Sequence, residues 1–431
     1  MAFSTDSSFK LLWKTDRKLL TYGHRDSTYE PQISPQNLSN HSRYIRQDRP
    51  ANHIAFLKIH KAASTTVANI FLRYGYEKNL VMAVPKGLGG GGPSLSPRYF
   101  YPPPENGTYD ISCAHVPYNR EDFSKVLPKD TIYIGIVREP FSLFRSFIHF
   151  FRPKNVVDLP GENPVLKYLS NNEKPVKFER YTVARAIDRM YDLNMMANEF
   201  GFPKELFFKR DETVIQSYLR KLDKEMDIVL VVEYLDESLV MMRRILNWDL
   251  RHVLYGSIHI NKRQYPRLKF GSTEKNLFKV KSYLDYALYD YFLLKFQDNL
   301  KRQHSDFYEE VAYFRKTRMI FDNFCKSAKS GRITRSTLSF EGSEWNRPFV
   351  LTVEHCKWLY ISGVTFYNRI ITEQGLRDNC NVTSYISLHQ SRLFVRMEAR
   401  VESYWGENPR GRVGVRTPAA KCAATVPPIT R

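Results

Sequence analysis

The sequence predicts an α/β fold, a parallel sheet flanked by helices on both faces with an added helical region, and three stretches carry that prediction. In "HIAFLKIHKAASTTVANIF" (His53 to Phe71), "TIYIGIVREPFSLFRSFIHFF" (Thr131 to Phe151) and "DIVLVVEYLDESLVMMRRIL" (Asp227 to Leu246) a short apolar run passes into a helical pattern. Strands alternating with helices build parallel sheets covered by helices. The chain has 431 residues, 42% hydrophobic and 14% aromatic, enough to bury a sizeable core, so a packed globule rather than disorder is expected.

Taken in order, residues 1–50 are polar and rich in Ser, Asn, Arg and Pro, the composition of a stem or disordered arm. The core begins near Asn52, with a strand over 53–59, a helix over 65–77 and a short strand over 80–84. "PKGLGGGGPSLSP" follows as a flexible loop, because four consecutive glycines forbid regular structure. "TYDISCAHVPYN" predicts a strand ending near His115, and "TIYIGIVREP" a fully buried strand ended by proline. "FSLFRSFIHFF" then has helical spacing, 164–223 predicts several helices, and 273–327 is helix-rich with Tyr and Phe at core positions. Residues 51–330 thus form the expected folded domain. The pattern decays over an extension at 331–405, and 406–431 is expected to be disordered.

A formal net charge of +20 favours acidic partners: nucleic acid, anionic membrane, phosphorylated or sulfated small molecules, or acidic sugars. The five cysteines form no CxxC pair, which disfavours a zinc ribbon or thioredoxin-like motif and leaves one or two disulfides open. Sequons at Asn37, Asn40, Asn106 and Asn381 matter only if the chain enters the secretory lumen. No apolar run of about 18 residues and no signal-peptide core is present, so as written the chain is expected to be soluble.

The loop after the first strand lacks the glycines of GxxxxGK[ST], yet its chemistry suits a phosphate. Main-chain N–H groups at a helix start face the positive end of the dipole. Ala62 and Ala63 let the backbone approach an anion, Ser64, Thr65 and Thr66 add hydroxyls, and Lys61 adds a movable charge. On local sequence alone, Ser64 or Thr65 as a helix cap with a solvated Lys61 explains the same residues.

"FLKIHKAASTTVANIF" resembles the 5′-phosphosulfate loop of carbohydrate sulfotransferases that use 3′-phosphoadenosine 5′-phosphosulfate (PAPS), specifically the galactose-3-O-sulfotransferase family, which includes galactosylceramide sulfotransferase. "YIGIVREPFSLFRSFIHFF" resembles that family's 3′-phosphate element, with Arg138 at a strand end and Ser146 two turns into the next helix. "VLVVEYLDESLVMMRRILNWDLRHVLY" resembles its EYFDESL-type region, in the expected order. The resemblance implies a P-loop-like sheet, PAPS as sulfate donor, no metal, and a galactose-terminated glycolipid or glycan as acceptor. It implies that Lys61 faces the bridging oxygen of the leaving phosphate, that 62–66 hold the 5′-phosphate, and that Arg138 and Ser146 hold the 3′-phosphate, with Lys262 and Arg263 in a basic loop that can cover it, a pair that ordinary surface charge explains equally well. It also implies a Golgi membrane protein, whose anchor would belong to a segment missing from this chain.

Removing the acceptor's proton needs a base with a pKa near working pH. His115, at a predicted strand end, is the candidate; His60 is its competitor, with a structural role beside the loop. Asp110 or Glu233 is a candidate to orient the base or contact the sugar, and the glycine-rich stretch 87–97 is either an acceptor-side lid or a species-specific insertion. Three rival readings stand: a uronyl or heparan-type 2-O-sulfotransferase acting on a glycosaminoglycan, a P-loop kinase, and a non-enzymatic nucleic-acid-binding protein. The kinase lacks GK[ST] and a Walker-B aspartate. No nucleic-acid-binding motif is present, so no nucleic-acid partner is expected.

Overall fold

The structure, a computed structural model, describes residues 49–87, 90–103, 107–171, 193–256, 267–332, 335–361 and 363–373. The chain divides after Asn379, and every described residue belongs to the first unit. The polar arm up to residue 48, all four sequons and the expected disordered tail lie outside the described residues.

Four parallel strands, β1 (Ile54–Phe56), β2 (Ile111–Ser112), β3 (Ile132–Val137) and β4 (Ile228–Val231), form a sheet in the order β2-β1-β3-β4. All six residues of β3 are buried, as an unbroken apolar run requires of a central parallel strand covered on both faces. The chain leaves β1 toward β2 on one side, and leaves β3 toward β4 on the other. The carboxyl ends of β1 and β3 therefore flank a point where the winding reverses, the place where open α/β sheets leave a crevice for ligands.

The principal helices are α1 (Ser64–Glu77), α2 (Pro140–Phe151), α3 (Glu212–Glu225), α4 (Leu235–Leu246), α5 (Ser272–Lys281), α6 (Tyr283–Lys301) and α7 (Ser305–Lys329). The apolar residues of α1 are buried around much of its circumference, from Val67 and Ala68 through Ile70 to Tyr74, so it packs as an inner helix. Tyr74 stacks on Trp248 with ring centroids 3.7 Å apart. Pro140 opens α2 at a position where its missing N–H costs nothing, and the Glu139 side chain caps the Ser142 N–H at 2.7 Å.

The strand expected over 80–84 is not formed. Asn79 turns left-handed after α1, Val81 N–H is taken by the Asp110 side chain at 2.8 Å, and the segment pairs with its neighbours through isolated bridges, Met82 to Ile111 and Pro85 to Phe100, rather than a continuous ladder. The described residues of this extension, 335–361 and 363–373, pack on the core. An antiparallel pair, β5 (Thr337–Phe340) and β6 (Phe349–Thr352), leads into α8 (Val353–Tyr360) and α9 (Gly363–Glu373). Asn69 on α1 donates to the Trp358 carbonyl at 3.0 Å, and a disulfide joins Cys325 on α7 to Cys356 on α8.

Candidate active site

The carboxyl end of the sheet is assembled from the ends of all four strands. After β1, Leu57 N–H still bonds the Ile134 carbonyl at 2.9 Å, and the chain then turns through left-handed conformations at Lys61 (φ 61°) and Ala63 (φ 52°). Successive main-chain N–H groups in such alternation form a concavity for anions, here at the positive end of α1. Ala63 is the N-cap and has no side-chain cap, while Ser64 and Thr65 lie inside the first turn. The helix-cap reading of Ser64 and Thr65 is therefore replaced: Ser64 is buried, Thr65 is exposed and Thr66 is half-buried.

Arg138, just past β3, donates from Nη1 to the Lys61 carbonyl at 2.7 Å, so the two strand ends expected to grip one ligand meet directly. Among the described residues neither side chain has a carboxylate partner. Lys61 Nζ sits 3.6 Å above the Phe150 ring, and burial, reinforced by the Arg138 charge, lowers its pKa to about 8. Burial also lowers the Arg138 pKa, opposed by Glu233 at the end of β4. Glu233 accepts from the Glu139 N–H at 3.0 Å and the Tyr289 hydroxyl at 3.2 Å, and burial raises its pKa. It thus braces the Arg138 turn. Ser146 lies half-buried in the second turn of α2.

His115 follows β2. Its ring stacks on His60 with centroids 3.7 Å apart and planes 16° apart, and its Nδ1 is buried without a hydrogen-bond partner. Burial first, then His60 and Lys58, push its pKa well below the ordinary histidine value, so it stands neutral, and the same surroundings disfavour the imidazolium that a general base must form. The His60 main-chain N–H donates to Glu199 Oε2 at 2.8 Å and His60 Nδ1 bonds Glu199 Oε1, which lies 3.9 Å from His115 Nδ1. Among the described residues His60, His115 and Glu199 are also the one group spaced to hold a metal ion.

The glycine-rich stretch closes over this residue. His115 N–H donates to the Gly90 carbonyl at 3.1 Å and Gly92 N–H to the His115 carbonyl at 3.0 Å. Leu88 and Gly89 lie outside the described residues, as do Lys262 and Arg263. Asp110 is a correction. It precedes β2, at the opposite end of the sheet from His115, where it bonds Val81 N–H and faces His53 Nε2 at 3.5 Å, so it cannot orient the base.

A family model described as Galactose-3-O-sulfotransferase matches residues 7–336. The chain belongs to the galactose-3-O-sulfotransferase family. Among curated proteins it is similar to galactose-3-O-sulfotransferase 3 of Mus musculus, 28% identical over 269 residues covering 60% of each chain. It is 32% identical over 251 residues to galactose-3-O-sulfotransferase 2 of Homo sapiens, covering 56% of this chain and 60% of that one. Over 245 residues it is 28% identical to galactosylceramide sulfotransferase of Homo sapiens, covering 55% and 56%. The match spans about 60% or less of the length of these relatives. No solved structure matches.

Two residues of this candidate site escape a motif search, Glu199 and Lys58. Each is a single charge inside an apolar run, "LNMMANEFGF" and "IAFLKI", and each is buried. A buried charge persists only with partners, so that pattern is itself a signal. Burial lowers the Lys58 pKa, and its neighbours are Cys113, His115 and Glu199.

Proposed function

We propose that this chain transfers the sulfuryl group of PAPS to the 3-hydroxyl of a galactose residue on a glycolipid or glycoprotein glycan. Beyond family membership, the observation that carries this reading is the contact between Lys61 and Arg138, which brings two cations and an uncapped helix start together at the point where the sheet's winding reverses. PAPS supplies the activated sulfuryl group and two phosphates for these residues to hold. The P-loop-like features of the fold consist of this strand, loop and helix, with alanines where glycines stand in GxxxxGK[ST].

The main chain of Ala62 to Thr66, with the hydroxyls of Ser64, Thr65 and Thr66, holds the 5′-phosphate, and Lys61 follows the charge that grows on the leaving oxygen. Arg138 and Ser146 hold the 3′-phosphate. His115 accepts the acceptor hydroxyl's proton. Transfer of this kind depends on positioning and charge stabilisation, with attacking and leaving oxygens in line. The Cys325 to Cys356 disulfide supports an oxidising compartment, consistent with the Golgi lumen. No helix of the described residues is long and apolar enough to cross a membrane.

The test uses purified protein, labelled PAPS, and lactosides, galactosylceramide and desulfated heparan as acceptors. Sulfation of galactosides is expected and sulfation of heparan is not; the reverse would move the reading to a 2-O-sulfotransferase. Lys61→Ala and Arg138→Ala should abolish transfer. His115→Ala should keep PAPS binding by calorimetry while turnover falls about 10²- to 10⁴-fold.

A further inference from the structure

We infer that Glu199 is a positioning residue for the transfer reaction: its carboxylate anchors His60, the ring stacked on His115, and offsets the charge that His115 acquires when it takes the acceptor's proton. This inference rests on the proposed base role of His115. As the acceptor oxygen bonds to sulfur, the bond from sulfur to the leaving phosphate oxygen breaks. The hydroxyl proton passes to the His115 imidazole, which later releases it to solvent.

The imidazolium so formed would lie in a cationic setting. Facing His115 are the side chains of Lys58, Lys61 and His60 and the Lys58 main chain, whose hydrogen bond favours the charged form against them, with the Cys113 thiol two residues before it and the Tyr367 hydroxyl against that thiol. The Gly90 to Gly92 segment brings only main chain. Glu199 is the carboxylate on this list, 3.9 Å from His115 Nδ1. Its other contacts fix the stacked ring of His60 through main chain and side chain together. A divalent ion among the same three side chains would meet Lys58 and Lys61, so charge compensation fits the field here better than metal binding.

Glu199 is also held from behind. It ends a short helix, Met195–Glu199, whose first N–H groups at Met196 and Ala197 donate to Asp285 at 3.2 and 2.7 Å. Asn194 donates to the Lys281 carbonyl at 3.0 Å and accepts from Leu284 N–H at 3.0 Å. Tyr118 N–H, on the segment after His115, bonds the Glu199 carbonyl at 2.8 Å. Gly201 (φ 73°) allows this approach, since a Cβ there would lie 2.1 Å from the Tyr118 carbonyl oxygen. Main chain on both sides thus fixes the Glu199 backbone beside the histidines.

The experiment compares Glu199→Gln, Glu199→Asp and His115→Ala with the parent chain, each checked for melting temperature and PAPS affinity. Glu199→Gln should leave PAPS affinity and KM unchanged and lower kcat about 10²-fold, with Glu199→Asp recovering part of the loss. Because a carboxylate favours the charged imidazole, its removal should shift the acid limb of the kcat profile to lower pH. A chelator should change nothing. Parent-like kcat and pH profile in Glu199→Gln overturn the inference, as does equal loss of kcat, PAPS affinity and melting temperature, which marks a structural role. Loss of turnover with chelator, restored by zinc, overturns it in favour of a metal. Full turnover in His115→Ala overturns the base assignment itself, a result distinct from the others.

Discussion

At Gly91 a hydrogen atom in place of a side chain keeps the candidate base in position. A Cβ there would lie 2.0 Å from the His115 carbonyl oxygen, so substitution must push the glycine-rich segment and the base apart. A displacement near 1 Å at a reacting group costs about 10²-fold in rate. Gly91→Ala should therefore lower kcat by about that factor and leave PAPS affinity unchanged, as measured by steady-state kinetics and calorimetry. Gly87→Ala, where an added Cβ meets nothing within 4 Å, is the control and should behave as the parent. The glycines were legible in the sequence as a loop, but which of them touches His115 was not, since that contact joins residues 24 apart in the chain.

Between elements, α4 and α7 are joined by a charged cluster. Glu310, whose side chain is 1% exposed, accepts from Arg243 and from Arg244 Nε at 2.6 Å. Removing one partner of a buried pair leaves the other charge uncompensated, at a cost of about 3–5 kcal/mol. Arg244 is 32% exposed and keeps Asp306 at 2.8 Å, which places Glu310→Ala near the low end, about 3 kcal/mol. Chemical denaturation should show this as a lower midpoint with an unchanged slope. Both helices could be inferred from their periodicity. The pairing could not, because "MMRRIL" and "FYEEVA" show equally well as solvated faces until tertiary contact buries one carboxylate.

Across the whole molecule, the segment beyond residue 336, where the family match ends, completes the described unit. Its Tyr367 hydroxyl reaches Cys113 Sγ at 3.9 Å, two residues before His115, and Gly363 lies beside Lys58 Nζ. The Cys325 to Cys356 link spans 31 residues, for which loop closure contributes about 3–4 kcal/mol. Cys356→Ser should lower the melting temperature by several degrees, and reductant should lower the parent's melting temperature toward the variant's while leaving the variant's unmoved. Equal melting temperatures for parent and variant without reductant would show that the link contributes nothing.

The sequence by itself determined the parallel α/β architecture, the loop from Lys61 to Thr66 at a strand end, and Arg138 at the end of the next buried strand. These features are legible because each is local: an apolar run, a change of period and small residues at a helix start occupy adjacent positions in the chain. Tertiary structure alone decided that the Arg138 side chain bonds the Lys61 carbonyl, that Asp110 lies at the far end of the sheet, and that Glu199 lies beside two stacked histidines. Those facts depend on strand order and on burial, which set what a charge costs and which partner answers it, and both emerge only when distant segments pack together.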